Sequence, residues 1–262
     1  MLLVADIGNT EVTLGMFEGE TLRRSFRVSS ETRRTPDEVA LLLVQAFPEI
    51  GPGKDAGSRA GTHHAVLGSV VPIQTPIYLG AVRGLIGTEP LLVSAETTAG
   101  VTIEYRDPGS VGADRIANAV AAFDRYGAPA IVVDFGTATT FDVLLQDRRY
   151  RGGVIAPGIL TGAEHLVRRA ARLGAFELKP PAHVVGRSTE ESLQSGVFYG
   201  AVGEVDSIVR RISKEEKIEP IVIATGGLAE GIAEHSETIR KVDLDLTLHG
   251  LRLIWERHGR RK

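Results

Sequence analysis

Two stretches of this sequence repeat one arrangement of residues at a constant offset, and that echo constrains the fold more than any other feature. Leu2–Ile7 is an apolar run leading into Asp6-Ile7-Gly8-Asn9-Thr10, and Val12–Phe17 resumes the apolar character. Ala130–Asp134 is again apolar, runs into Phe135-Gly136-Thr137-Ala138-Thr139-Thr140, and is followed by apolar Phe141–Leu145. Asp6 matches Asp134, and Gly8 matches Gly136. Short apolar runs broken by Gly and Asn predict strand, tight turn, strand. Two such beginnings predict a duplicated domain with a cleft between the halves.

The rest of the chain predicts strands alternating with helices. Thr21–Val28 reads as a third strand after the Glu18-Gly19-Glu20 turn. Pro36 opens a helix with Val39, Leu42, Leu43 and Ala46 on one face. Gly51–His64, rich in Gly, Ser and charge, reads as a mobile surface loop. Ala65–Val71 reads as a strand, Thr75–Ile86 as a helix, and Val111–Tyr126 as a helix with Ile116, Ala119, Val120 and Phe123 facing inward. Gly152–Gly158 reads as a loop before a helix running through Arg172. Ser188 opens a long helix, with Glu191 at capping-box spacing and a stripe of Leu193, Val197, Ala201, Val205, Ile208 and Ile212. Ile221–Ala224 is a strand running into Thr225-Gly226-Gly227 and a helix, and Thr247–His258 a last helix with Leu248, Leu251 and Trp255 inward. The fold class is therefore α/β with mixed sheets. The halves are expected at 1–115 and 116–262.

Composition narrows the function. With 262 residues, 43% of them apolar, the chain can bury a large core. A net charge of −3 gives no footprint for nucleic acid, and the basic end, Arg257 to Lys262, reads as a solvated tail. Without cysteine there is no disulfide, thiolate metal site or Cys nucleophile, which agrees with a reducing compartment. No signal peptide is read at the N-terminus. No apolar run approaches the roughly 20 residues that span a bilayer, so no membrane partner is expected. The seven histidines show no zinc spacing. There is no Gly-x-x-x-x-Gly-Lys-Ser/Thr loop, no protein-kinase signature and no Gly-x-Gly-x-x-Gly after a strand.

An Asp-x-Gly-x-Thr turn between two strands lets backbone N–H groups close on phosphate oxygens, and the hydroxyls of Thr10 and Thr137 can add hydrogen bonds. Asp6 and Asp134 repel bare phosphate, so carboxylates at these places predict a cation between them. One such turn alone is better read as an ordinary hairpin bend; two at equivalent positions, with a third element, point to phosphate. The third is Ala224-Thr225-Gly226-Gly227-Leu228, which suits either a plain strand-to-helix turn or flat packing against adenine or ribose. In Gly112-Ala113-Asp114-Arg115, the Asp–Arg pair is either a surface pair or a general base beside a cation that holds an acidic substrate. The sequence alone does not decide.

Taken together, these residues resemble the acetate and sugar kinase, heat-shock 70 and actin superfamily, and within it the type III pantothenate kinases. The resemblance spans nearly the whole chain. It is carried by Asp6-Ile7-Gly8-Asn9-Thr10, Tyr105-Arg106-Asp107-Pro108-Gly109-Ser110-Val111-Gly112-Ala113-Asp114-Arg115, Asp134-Phe135-Gly136-Thr137-Ala138-Thr139-Thr140, Gly152-Gly153-Val154-Ile155-Ala156-Pro157-Gly158, Gly186-Arg187-Ser188-Thr189-Glu190-Glu191 and Ala224-Thr225-Gly226-Gly227-Leu228, in that order. It implies a duplicated actin-like, ribonuclease H-like fold and ATP-dependent phosphorylation of pantothenate to 4'-phosphopantothenate, the first step of coenzyme A synthesis.

At residue level, the resemblance implies ATP phosphates at Asp6, Ile7, Gly8, Asn9, Thr10, Glu11, Val12, Thr13 and Thr137. It implies pantothenate at Tyr105, Gly112, Ala113, Asp114, Arg115 and Thr189, with Asp114 as proton acceptor. It implies a monovalent cation, K⁺ or NH4⁺, at Asp134, Mg²⁺ with ATP, and a cytoplasmic homodimer. Many members carry Lys where this chain has Thr13. Two other readings are weighed: another small-molecule kinase of the superfamily, and a non-catalytic nucleotide-sensing transcription accessory factor. Gly112–Arg115 with Thr189 argues against the first. The acidic charge and intact Asp6, Asp134 and Asp114 argue against the second.

Overall fold

The computed structural model describes residues 1–50, 64–169 and 176–259. Of the expected loop over 51–64, His64 instead opens a strand, and of the expected tail over 257–262, residues 257–259 continue the last helix; the rest of both, and the helix end over 170–172, lie outside the described residues. The strands are β1 (Leu2–Ile7), β2 (Glu11–Glu18), β3 (Thr21–Ser29), β4 (His64–Ser69), β5 (Leu91–Leu92), β6 (Thr102–Ile103), β7 (Ala130–Phe135), β8 (Ala138–Leu145), β9 (Arg149–Pro157), β10 (Ile221–Gly226) and β11 (Lys241–Val242). The helices are α1 (Pro36–Ala46), α2 (Thr75–Ile86), α3 (Ala113–Arg125), α4 (Ile159–Arg169), α5 (Thr189–Glu216), α6 (Ala229–Ala233) and α7 (Leu246–Gly259).

The duplication is a fact of topology. One sheet runs β3-β2-β1-β4-β5; the other contains β9-β8-β7-β10-β11 in the equivalent order, with β6 added beyond β9. In each, the first three strands form an antiparallel meander, and the next pairs parallel with the first. The parallel pairing of β1 with β4 requires a crossover, which α1 supplies.

The chain divides into two compact units: residues 1–101, 106–121 and 246–262 form one, and 102–105 with 122–245 the other. The last helix therefore belongs with the N-terminal sheet, and α3 spans the change of unit. In the first unit, Leu3, Ala5, Ile7, Leu14 and Met16 of the sheet bury against Val39 and Leu43 of α1 and Tyr78 and Val82 of α2. Helix α7 covers the same sheet, and it approaches α3 so closely that a Cβ on Gly250 would collide with the Ala117 backbone. In the second unit, Ile131, Val133, Phe135 and Phe141 bury against Phe198, Val202 and Val205 of α5 and Ile232 of α6. Truncating a fully buried ring such as Phe141 to Ala would remove about 3–5 kcal/mol of stability.

Three expectations need correction. Gly152–Gly158 is not a loop: most of it lies in β9, where glycine conformational freedom serves a bulge rather than a turn. The buried stripe of α5 is Ser195, Phe198, Val202, Val205, Asp206 and Val209; it shares Val205 with the expected stripe and otherwise lies beside it. The large ring of Phe198 sets the inward face, and Ala201, Ile208 and Ile212 pack at its margin. The capping box at Ser188 is split: its side chain accepts from the Glu191 N–H, but the Glu191 carboxylate takes the N–H of Arg187. No described helix is long and apolar enough to cross a membrane.

Candidate active site

Asp6 lies near the end of β1, in register with Thr13 of β2 and with Gly68 of β4. Gly8 opens the turn, its N–H donating to the Glu11 carbonyl at 3.0 Å, and a Cβ there would lie 2.9 Å from that oxygen. Asn9, Thr10 and Glu11 are exposed; Ile7 and Val12 are buried and anchor the turn in the sheet. Ser30 ties the turn from below: its hydroxyl donates to the Gly8 carbonyl at 2.6 Å and its N–H to the Thr10 carbonyl at 2.8 Å. Thr13 is half-buried and sits opposite Arg27 of β3.

The Gly112–Arg115 segment is brought to the same end of the first sheet. A Cβ at Gly68, the register neighbour of Asp6, would lie 3.5 Å from the Ala113 Cβ, and one at Gly112 would lie 3.1 Å from Val70 Cγ1. Glycine is needed at 112, because any Cβ would also collide with Asp114 Oδ1. Asp114 stands in the first turn of α3, where the helix N-terminus favours an anion. Its Oδ1 accepts from the Arg115 N–H at 2.8 Å. Although part of its surface reaches solvent, the carboxyl itself is enclosed by protein. Burial pushes its pKa above the ordinary aspartate value, outweighing the Arg115 N–H and guanidinium, which pull it down. Arg115 is buried beside it.

In the second unit, Asp134 occupies the place in β7 that Asp6 has in β1, paired with Thr140 and with Thr225 of β10. The Gly136 N–H donates to the Ala138 carbonyl at 3.1 Å, leaving Gly136 and Thr137 exposed at the tip. Gly226 has φ +90, and a Cβ there would lie 2.8 Å from Asp134 Oδ1 and 2.6 Å from the Phe135 carbonyl oxygen. The Thr161 hydroxyl donates to the Thr137 carbonyl at 3.0 Å, and Gly158 presses on the same turn.

Tyr105 is half-buried beside β9, its ring against Gly152 and 6.3 Å from the Tyr150 ring centre. Thr189 is exposed as the first residue of α5, after the Ser188 cap. The Asp134 carboxylate and the Phe135 main-chain carbonyl both border the space that Gly226 leaves without a side chain. Among the described residues no three acidic or histidine side chains cluster.

Sequence reasoning missed Ser30 and Gly68, and it named Gly152 and Gly158 without seeing what they pack against. Gly68 and Gly152 had a usable signal, since glycine inside a strand marks a bulge or a close approach. Ser30 had none, because its role depends on pairing across β2 and β3.

Solved structures share this fold. The activator of 2-hydroxyisocaproyl-CoA dehydratase from Clostridium difficile, solved with bound ADPNP, matches with TM-score 0.57 at 13% identity, over 99% of this chain and 96% of that one. A Campylobacter jejuni protein described as a Baf family transcriptional activator matches with TM-score 0.59 at 18% identity, over 98% and 99%. With the duplicated sheet and its paired Asp–Gly turns, this is an α/β protein with a duplicated actin-like fold.

The family is narrower. The type III pantothenate kinase family profile matches residues 2–211. A Geobacter sulfurreducens protein named type III pantothenate kinase is 45% identical over 258 residues, covering 98% of this chain and 99% of its own. The chain belongs to the type III pantothenate kinase family, and it is a phosphotransferase.

Proposed function

We propose that this chain transfers the γ-phosphoryl group of ATP to the hydroxyl of pantothenate, giving 4'-phosphopantothenate and ADP, with Asp114 as the proton acceptor. The observation that carries the reading is the α3 N-terminus. A buried carboxyl with a raised pKa stands on a helix whose Ala113 packs on Gly68, the strand neighbour of Asp6.

Phosphoryl transfer asks mainly for positioning and charge neutralisation. Asp6, Ile7, Gly8, Asn9, Thr10, Glu11, Val12 and Thr13 of the first turn and Thr137 of the second form the ATP-phosphate site, with the Thr10 and Thr137 hydroxyls donating to phosphate oxygens. Tyr105, Gly112, Ala113, Arg115 and Thr189 seat pantothenate, and the Arg115 guanidinium pairs with its carboxylate. Asp114 takes the hydroxyl proton as the acceptor oxygen bonds to the γ-phosphorus and the bond to the bridging oxygen breaks. The raised pKa suits this role, because a base works best with proton affinity near the operating pH. Asp134 holds a monovalent cation, K⁺ or NH4⁺, which together with the Mg²⁺ carried by ATP supplies positive charge to offset the phosphates. The working unit is a cytoplasmic homodimer.

A coupled assay of ADP release across pantothenate, sugars and acetate tests the acceptor. Pantothenate alone should support turnover; a sugar or acetate that replaces it at equal rate overturns the reading.

A further inference from the structure

We propose that Gly152, Tyr150 and Asp142 are positioning residues for Tyr105, and that together they set how the acceptor is seated. The inference rests on the reading that Tyr105 lines the pantothenate site.

It begins with a defect in a strand. Val143 of β8 pairs with Gly152 and Leu144 with Tyr150, so Arg151 has no register partner and β9 carries a bulge. Bulges bend a strand and re-aim its neighbours, and they concentrate beside active sites. Here Gly152 takes φ +119, a conformation that glycine alone adopts readily. The space its Cβ would occupy lies 3.0 Å from Tyr105 Cε2 and 3.3 Å from Cδ2. The bulge thus turns a bare stretch of backbone toward the edge of the Tyr105 ring.

Tyr150 bounds the ring from another side, with the two planes inclined at 48°. Its own orientation is fixed at the hydroxyl, which donates to Asp142 Oδ1 at 2.7 Å. Asp142 is fully buried. A carboxylate in such a place is expensive unless it is hydrogen-bonded, and what this one bonds is the phenol that backs Tyr105. The main chain before Tyr105 is pinned to the same strand: the Glu104 N–H donates to the Tyr150 carbonyl at 2.8 Å, and the Glu104 carboxylate accepts from Arg149 at 2.9 Å. Backbone, ring edge and ring face of the Tyr105 segment all answer to one bulged strand. A phenol held this way presents an apolar face and one hydroxyl at a fixed place, which suits an acceptor with alkyl and hydroxyl groups.

A double-mutant cycle with separate KM values for the two substrates tests this. Gly152→Ala should raise KM for pantothenate roughly ten- to a hundredfold, the scale of a small displacement at a binding residue, and leave KM for ATP unchanged. Tyr150→Phe, which keeps the ring and removes the hydroxyl, should raise the same KM by less. It carries the test if Gly152→Ala fails to fold, as judged by its thermal melt. In a Tyr105→Ala background both substitutions should add nothing, because the ring they position is gone. Full additivity in that background, or a rise in KM for ATP instead, overturns the proposal. If Tyr105→Ala leaves KM for pantothenate unchanged, the placement of Tyr105 at the acceptor is wrong and the proposal falls with it, a result distinct from additivity.

Discussion

Asp134 and Gly226 meet across the β7–β10 pair so closely that the carboxylate occupies the surroundings of the missing side chain, 2.8 Å from where its Cβ would be. Gly226→Ala should therefore act twice. Its φ of +90 adds about 1 kcal/mol of backbone strain for an L-residue, and the methyl displaces Asp134. A fall in turnover with a raised KM for ATP is expected, with only a modest drop in melting temperature. Unchanged kinetics would show that the carboxylate position does not matter.

Asp114→Asn should separate activity from stability. Loss of a general base lowers turnover by about two orders of magnitude or more, while ATP binding, followed calorimetrically, should survive. The stability sign is opposite. The folded-state pKa is raised, so the folded protein binds the proton more tightly than the unfolded chain does. Stability contributed by this group is greatest below the ordinary aspartate pKa and declines as pH rises to the folded value. At neutral pH the buried carboxylate is a net penalty that Asn removes. The variant should melt higher than the parent at neutral pH, and the gap should close in acid. In the parent, turnover should fall as pH drops through a pKa above that of an ordinary aspartate.

The single carboxylate at Asp134 predicts dependence on a monovalent cation. Turnover should rise when K⁺ or NH4⁺ replaces Na⁺ at constant ionic strength. Asp134→Ala should flatten that response. Equal rates in the three salts would mean that Asp134 serves only Mg²⁺ or the backbone.

Helix α5 carries Gly196, Gly200 and Gly203 on an exposed face, and a Cβ at any of them would meet no described atom within 4 Å. The chain's own sheet therefore does not explain them, although each costs about 1 kcal/mol relative to Ala in a helix. The proposed homodimer would put a second copy on this face. Gly200→Leu should weaken dimerisation and pantothenate use together and spare ATP binding. Light scattering that finds a fully active monomer at assay concentration contradicts the homodimer.

The duplicated fold was legible because β1 and β7 each end in an Asp-x-Gly turn, and local pattern suffices for that. β5, β6 and β11, of two residues each, left no periodicity to read. The β9 bulge was read as a loop because Gly152 and Gly153 break any strand pattern; the ring that fills the bulge, Tyr105, lies far back in sequence. The raised pKa of Asp114 had no sequence signal either. It comes from burial that only the folded chain provides.

The γ-phosphoryl group of ATP should leave only when pantothenate is there to accept it. The most direct measurement is ADP release by the purified protein, with Mg²⁺ and K⁺ present, before and after pantothenate is added, with the product identified by mass. The account predicts ADP release only with pantothenate, matched mole for mole by 4'-phosphopantothenate. ADP release that is indifferent to pantothenate, or no release with it, contradicts the account.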